Sequence, residues 1–165
     1  MQKIVQENKG ITLIALAVTI VVLLIIAGIS ISAGTNTIKR AKLEEIRTNM
    51  LLIQAKAKEY VEEANFKLGK SPDENKKIEV RKEVYETDAK LEPANGISAP
   101  SQIPVSDCYK VTEEAMKQWG LDKIKTEANE YYLIKFDDTN ATAEVYNTLG
   151  YNGKYSLTEI DQIEE

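Results

Sequence analysis

Lys9-Gly10-Ile11-Thr12-Leu13-Ile14-Ala15-Leu16 is the stretch on which the reading of this chain turns, because after Lys9 no charged residue occurs until Lys39. The apolar part of the run reaches Ala33, and roughly 20 such residues at ~1.5 Å rise match a hydrocarbon core of ~30 Å. The run therefore predicts a membrane-spanning helix over 11–38. Only Met1 to Gly10 precede it, and they set Lys3 and Lys9 against Glu7. A secretory signal is built differently, with an apolar core of ~7–15 residues and a small-residue cleavage site after that core. Such a cut would fall at Ser30-Ile31-Ser32 or near Ala33, and an uncleaved single-pass anchor is a further reading.

A short, weakly basic leader, then Gly10, then the hydrophobic segment at once: this arrangement resembles the type IV pilin and pseudopilin family. The likeness covers Lys9 to about Leu68, and its specific part is Lys-Gly-Ile-Thr-Leu-Ile, with Ile11 in place of the more usual Phe. It implies a leader over 1–10 that a prepilin peptidase removes between Gly10 and Ile11, with methylation of the new Ile11 amine. It implies as partners other pilin or pseudopilin subunits, an inner-membrane assembly platform and the lipid bilayer. The protein would sit in the cell membrane by a single pass before assembly, head outside, and in a surface filament afterwards. Family members that polymerise in bulk usually carry a Glu where this chain has Ala15. That Glu is thought to offset the buried amine of a neighbouring subunit. Its replacement favours a minor or initiating subunit.

Composition bounds the remainder. About 130 residues follow the apolar segment, enough for one small domain with its own core. Removing Lys3, Lys9 and Glu7 with the leader leaves 19 of 21 basic and 25 of 26 acidic residues, so the net charge moves from −5 to −6. An acidic head is a poor match for nucleic acid, whose binding rests on Lys and Arg contacts to phosphate. The chain has no histidine. That removes the Ser-His-Asp and Cys-His nucleophile systems and the commonest zinc ligand. No phosphate-binding, dinucleotide or Gly-x-Ser-x-Gly motif occurs, so the sequence argues against an enzyme and calls for no cofactor. Cys108 is the single cysteine, and a buried thiol acting as a small hydrophobe is its simplest role.

Downstream of the apolar run, Leu43, Ile46, Met50, Ile53, Ala57, Tyr60 and Ala64 recur in alternating steps of three and four. That is a narrow helical seam on an amphipathic helix over 39–70, with Glu44, Arg47, Lys58 and Glu62 opposite. Sheet docking and pairing with another helix are both open to it, and the strand candidates that follow need a cover. Gly69 stands in the stop position. Ser71-Pro72-Asp73-Glu74 predicts a capped, charged helix to about Tyr85, although the alternation at Ile78 and Val80 also permits an edge strand. The prolines at 93, 100 and 104 mark a break, after which a short strand from Val105 to Val111 and a Thr112-capped helix ending at Trp119 are expected.

The β-prone runs Tyr131 to Phe136 and Ala141 to Tyr146 flank the turn Asp137-Asp138-Thr139-Asn140 and predict a hairpin. Asp137, Asp138 and Asn140 are weak calcium candidates, since the loop lacks the Gly and distal Glu of a calcium-binding loop. Ser156-Leu157-Thr158-Glu159 predicts a capping box and a final helix. The expectation is thus an α+β chain, in which a long N-terminal helix, half membrane-spanning and half amphipathic, packs on a small antiparallel sheet with short helices, the head occupying 71–165. The expected function is structural, as a minor pilin or pseudopilin of a pilus, secretion or DNA-uptake filament. The alternative is a single-pass membrane-anchored extracellular binding domain that does not polymerise.

Overall fold

The computed structural model describes residues 7–69, 74–88, 90–137 and 140–164, with the side chains of 7–14, 25–36 and 74 outside that description. The chain divides into two compact units, Met1–Lys42 and Leu43–Glu165. A helix, α1 (Glu7–Leu68), supplies the described part of the first unit and opens the second.

The expected membrane-spanning half of α1 needs correction. Among the described residues no helix is long and apolar enough to cross a membrane. From Lys39 onward α1 is interrupted by charge every few residues. The architecture is α+β, with an amphipathic helix against an antiparallel sheet.

Within the second unit α1 ends where its backbone cannot continue right-handed. Gly69 adopts φ +59° and its N–H bonds back to Asn65 and Phe66 carbonyls at 3.1 and 3.2 Å, the left-handed stop that glycine allows without a Cβ penalty. A charged helix α2 (Glu74–Lys82) follows and widens into a π-helical turn, Glu83–Asp88. The sequence predicts an ordinary helix to about Tyr85; the wider turn instead sets the adjacent side chains Val84 and Tyr85 both into the core, where the Tyr85 ring stacks on Phe136 at 3.9 Å. Ser71 and Pro72 of the predicted cap lie outside the described residues.

Five strands, β1 (Leu91–Pro93), β2 (Tyr109–Val111), β3 (Tyr132–Asp137), β4 (Thr142–Tyr151) and β5 (Lys154–Ser156), form one antiparallel sheet in sequence order. The strand expected from Val105 to Val111 is shorter, because Val105–Asp107 form a 3-10 turn first. Helix α3 (Glu113–Gln118) is capped by Thr112, whose hydroxyl accepts the Ala115 N–H at 3.1 Å. Helix α4 (Leu157–Asp161) has the reciprocal Ser156–Glu159 capping box, satisfying two orphan donors at once.

The core lies between α1 and one face of the sheet. Met50, Ile53, Ala57 and Ala64 from α1 meet Tyr132, Ile134, Ala143 and Val145 from β3 and β4, and none of these residues is more than 2% exposed. At ~25 cal/mol per Å² of apolar surface, a fully buried side chain of this size contributes about 1.5–3 kcal/mol, which is why this seam rather than helix propensity holds α1 in place. The opposite sheet face is covered by the loop after β1, through Ala94, Ile103, Cys108 and Leu133.

Candidate functional site

The predicted seam residues Leu43, Ile46, Met50, Ile53, Ala57 and Ala64 are all buried on the sheet. Tyr60 sits at the seam's edge, partly buried, and its hydroxyl accepts the Trp119 indole N–H at 3.0 Å. Val61 and Leu68 join the buried face and widen it beyond the narrow stripe. This surface is thus satisfied within the unit, and two others are left to act outward.

The first belongs to the N-terminal unit. Every side chain over residues 15–24 is exposed, and the large apolar ones from Leu16 to Leu24 leave 46–67% of their surface open. Ile20, Val21, Val22, Leu23 and Leu24 are consecutive, and at ~100° per residue such a run encircles the helix. A helix that is apolar all round requires surroundings that cover every side, and contiguous exposed apolar surface of this kind marks an interaction region. Gly10 and Ile11 lie in α1 by backbone, and their side chains fall outside the described residues. Ala15 is exposed and brings no charge.

The second is a groove of about 670 Å³ in the C-terminal unit, walled by α3, by the loop from Asp122 to Tyr131 and by the ends of β1 to β3. Glu130 lines it although only 9% of that residue is exposed. Its Oε1 accepts the Asn147 Nδ2–H at 2.6 Å, and its Oε2 accepts the Glu127 backbone N–H at 2.6 Å. The Glu130 N–H returns to the Glu127 carbonyl at 3.0 Å and closes the turn. Asn147 is fully buried, and its Oδ1 accepts the N–H groups of Leu149 and Gly150 at 2.9 and 2.8 Å.

Strand register puts Asn147 opposite Tyr132. The Tyr132 hydroxyl accepts the Asn49 Nδ2–H at 3.4 Å, and burial pushes its ionisation upward. A polar chain thus links α1 to the groove floor, and burying such groups is tolerable only because they are partnered. On the groove wall Lys110 pairs with Glu92 at 2.9 Å and stands 5.7 Å from the centre of the Tyr131 ring.

Of the calcium candidates, Asp138 lies outside the described residues. Asp137 and Asn140 are together, but the Asp137 carboxylate closes its own turn. Its Oδ1 accepts the Asn140 N–H at 3.1 Å and its Oδ2 accepts the Asn140 Nδ2–H at 2.7 Å. Among the described residues no group of three or more His, Cys, Asp or Glu side chains is placed to hold a metal ion. Cys108 is buried against Leu133, and loss of hydration pushes its thiol up to about 11, which keeps it in the unreactive protonated form at neutral pH.

The Asn147–Glu130 and Asn49–Tyr132 bonds carry no local signature, since their partners lie 17 and 83 residues apart. No family model, curated protein or solved structure matches the chain.

Proposed function

We propose that this chain is a minor filament subunit of the type IV pilin or pseudopilin kind, cut between Gly10 and Ile11 by a prepilin peptidase and delivered to the cell surface by an assembly platform. The observation that carries the reading is the apolar girdle of α1: Leu16 to Leu24 are exposed on all sides, next in sequence to a unit whose own core is complete without them. In a filament, the stacked helices of neighbouring subunits cover such a girdle. Ala15 supports the minor role. With no acidic residue between Gly10 and Lys39, the chain offers nothing to offset the amine of a neighbour in apolar surroundings, where charge attraction is far stronger than in water. It accepts a Glu from another kind of subunit more readily than it builds a filament of its own.

Intact-mass analysis of protein from its native cell tests the processing. The expected mass lacks Met1 to Gly10, and Gly10→Ala retains them. A full-length mass in cells with an active prepilin peptidase overturns the proposal. Expressed beside a Glu-bearing major subunit, the chain is expected as a small fraction of sheared filaments, and expressed without one it is expected to form few. Absence from filaments in both conditions transfers the assignment to a binding domain that does not polymerise.

A further inference from the structure

We infer that the groove over Glu130 is a receptor site for a primary alkylammonium group, as carried by a lysine side chain of a partner protein or by a free diamine. The inference stands apart from how the N-terminal unit is used. It begins with the donors around Glu130. Both carboxylate oxygens accept bonds, but from an amide side chain and a backbone N–H, neither of them charged. Among the described residues no lysine or arginine pairs with it, although the residue is nine-tenths buried. A carboxylate held in that way has lost most of its hydration and keeps a strong attraction for a cation brought into the same low-dielectric space.

The groove as a whole has the matching charge. Glu92, Glu113, Asp122 and Glu130 line it on the acidic side, against Lys110, Lys117 and Lys125. Four acids against three bases leave a single negative charge, and Glu92 with Lys110 already form a pair at 2.9 Å. A volume of about 670 Å³ is more than a bare ammonium needs and suits a ligand with an apolar stem. Met116, Ile124 and Tyr131 supply the apolar wall for that stem, the manner in which lysine methylenes cover apolar surface.

Each Glu130 oxygen already holds one N–H. That arrangement serves the forked, two-point pairing of a guanidinium poorly and favours a compact ammonium with rotatable donors. Lys117 and Lys125 on the wall then disfavour a second positive charge, so a lysine side chain with its uncharged backbone is expected to bind more tightly than a diamine.

The test is an NMR titration of the full chain with Nα-acetyl-lysine methylamide, with 1,4-diaminobutane and with the neutral Nα-acetyl-norleucine methylamide. The Asn147 side-chain amide and the Glu127 backbone N–H are the reporters, since both donate to Glu130. Saturable shifts with the ammonium probes, weakened by salt and absent with the norleucine compound, are expected. Whichever amine binds more tightly assigns the source, peptide or free amine. Glu130→Gln is expected to weaken binding by roughly tenfold or more, in keeping with the loss of a charge-assisted bond, while Lys117→Ala and Lys125→Ala strengthen it a few-fold. Equal shifts from the neutral probe overturn the site, as does silence from both amines while the spectrum remains native. Should Glu130→Gln fail to fold, the lysine variants decide, and unchanged affinity in both overturns the inference.

Discussion

Arg47, one turn into the packed part of α1, reaches Ile160 on the last helix: its Nη2 donates to the Ile160 carbonyl at 3.2 Å and to the Ile163 carbonyl at 3.1 Å. The final carbonyls of a helix have no partner inside it, and a cation there also opposes the negative end of the helix dipole. Glu44 holds the other side of the guanidinium, and Asp161 lies 3.5 Å from its Nε. With only 16% of its side chain exposed, Arg47 is a clamp between the beginning and the end of the unit.

Arg47→Ala should therefore lower the stability of the C-terminal unit by about 1.5–3 kcal/mol, the usual range for bonds to a charged donor. Arg47→Lys should recover less than half, since one ammonium cannot meet both carbonyls, as Nη2 does, and also hold Glu44, as Nη1 does. Urea unfolding of the full chain, followed by tryptophan fluorescence, measures both. A lysine variant as stable as the parent would refute the clamp.

The position of Arg47 also shows what a sequence can and cannot disclose. It follows Leu43 by one helical turn, so it borders the buried stripe, yet by sequence it falls on the solvated face because its acceptors lie 113 and 116 residues later. The stripe itself is legible because helical period and apolar residues coincide between Leu43 and Ala64. Thr112, Ser156 and Gly69 are legible for a similar reason, since caps and stops are made by residues three or four apart. The groove is not legible. Glu130 and Asn147 meet through the β3–β4 register, and the polar stretch around Glu130 reads as an ordinary loop.

Glycine substitutions separate two positions that look alike in sequence. Gly150 has φ +61° at the irregular register between Tyr146 and Tyr151, and a Cβ there would stand 2.2 Å from the Lys154 carbonyl oxygen and 2.6 Å from the Tyr155 ring. Gly153, at φ +73° in the turn to β5, has nothing within 4 Å of its would-be Cβ. Gly153→Ala should cost about 1–2 kcal/mol, the left-handed penalty alone. Gly150→Ala adds a backbone clash and should cost roughly 3 kcal/mol or more. Equal denaturation midpoints for the two variants would refute the close approach of β5 to Gly150.

Acid should loosen the C-terminal helix through Glu159. The backbone N–H groups of Tyr155 and Ser156 donate to its Oε2 at 3.3 and 3.4 Å, the Ser156 hydroxyl adds a third bond at 3.3 Å, and together they hold the carboxyl below its ordinary value of 4.5. A depressed folded-state value means that the unfolded chain takes up the proton first as the pH falls. The contribution is therefore whole above 4.5 and fades as the pH drops through the folded value. In urea midpoints recorded from about pH 6 to about pH 3, the parent should lose more stability than Glu159→Gln. Parallel curves would show that the capping box contributes nothing that depends on charge.

A single charge placed at two points of α1 distinguishes the two roles of the helix. Ile53 is completely buried in the seam, whereas Val21 is 55% exposed in the N-terminal girdle. The carboxylate of Ile53→Asp has no partner in a dry core, and the cost of burying it is several kcal/mol, enough to abolish cooperative unfolding of a marginally stable domain. That of Val21→Asp meets water in the isolated chain, so the stability of the C-terminal unit should stay within about 0.5 kcal/mol of the parent, as for ordinary surface changes. In an assembled filament the same carboxylate would be enclosed among apolar helices. Val21→Asp should then disappear from sheared filaments formed with a Glu-bearing major subunit, although its head remains folded and its leader is still removed. Undiminished incorporation would mean that the girdle around Val21 is not covered by neighbouring helices, and the filament assignment would lose the observation on which it rests.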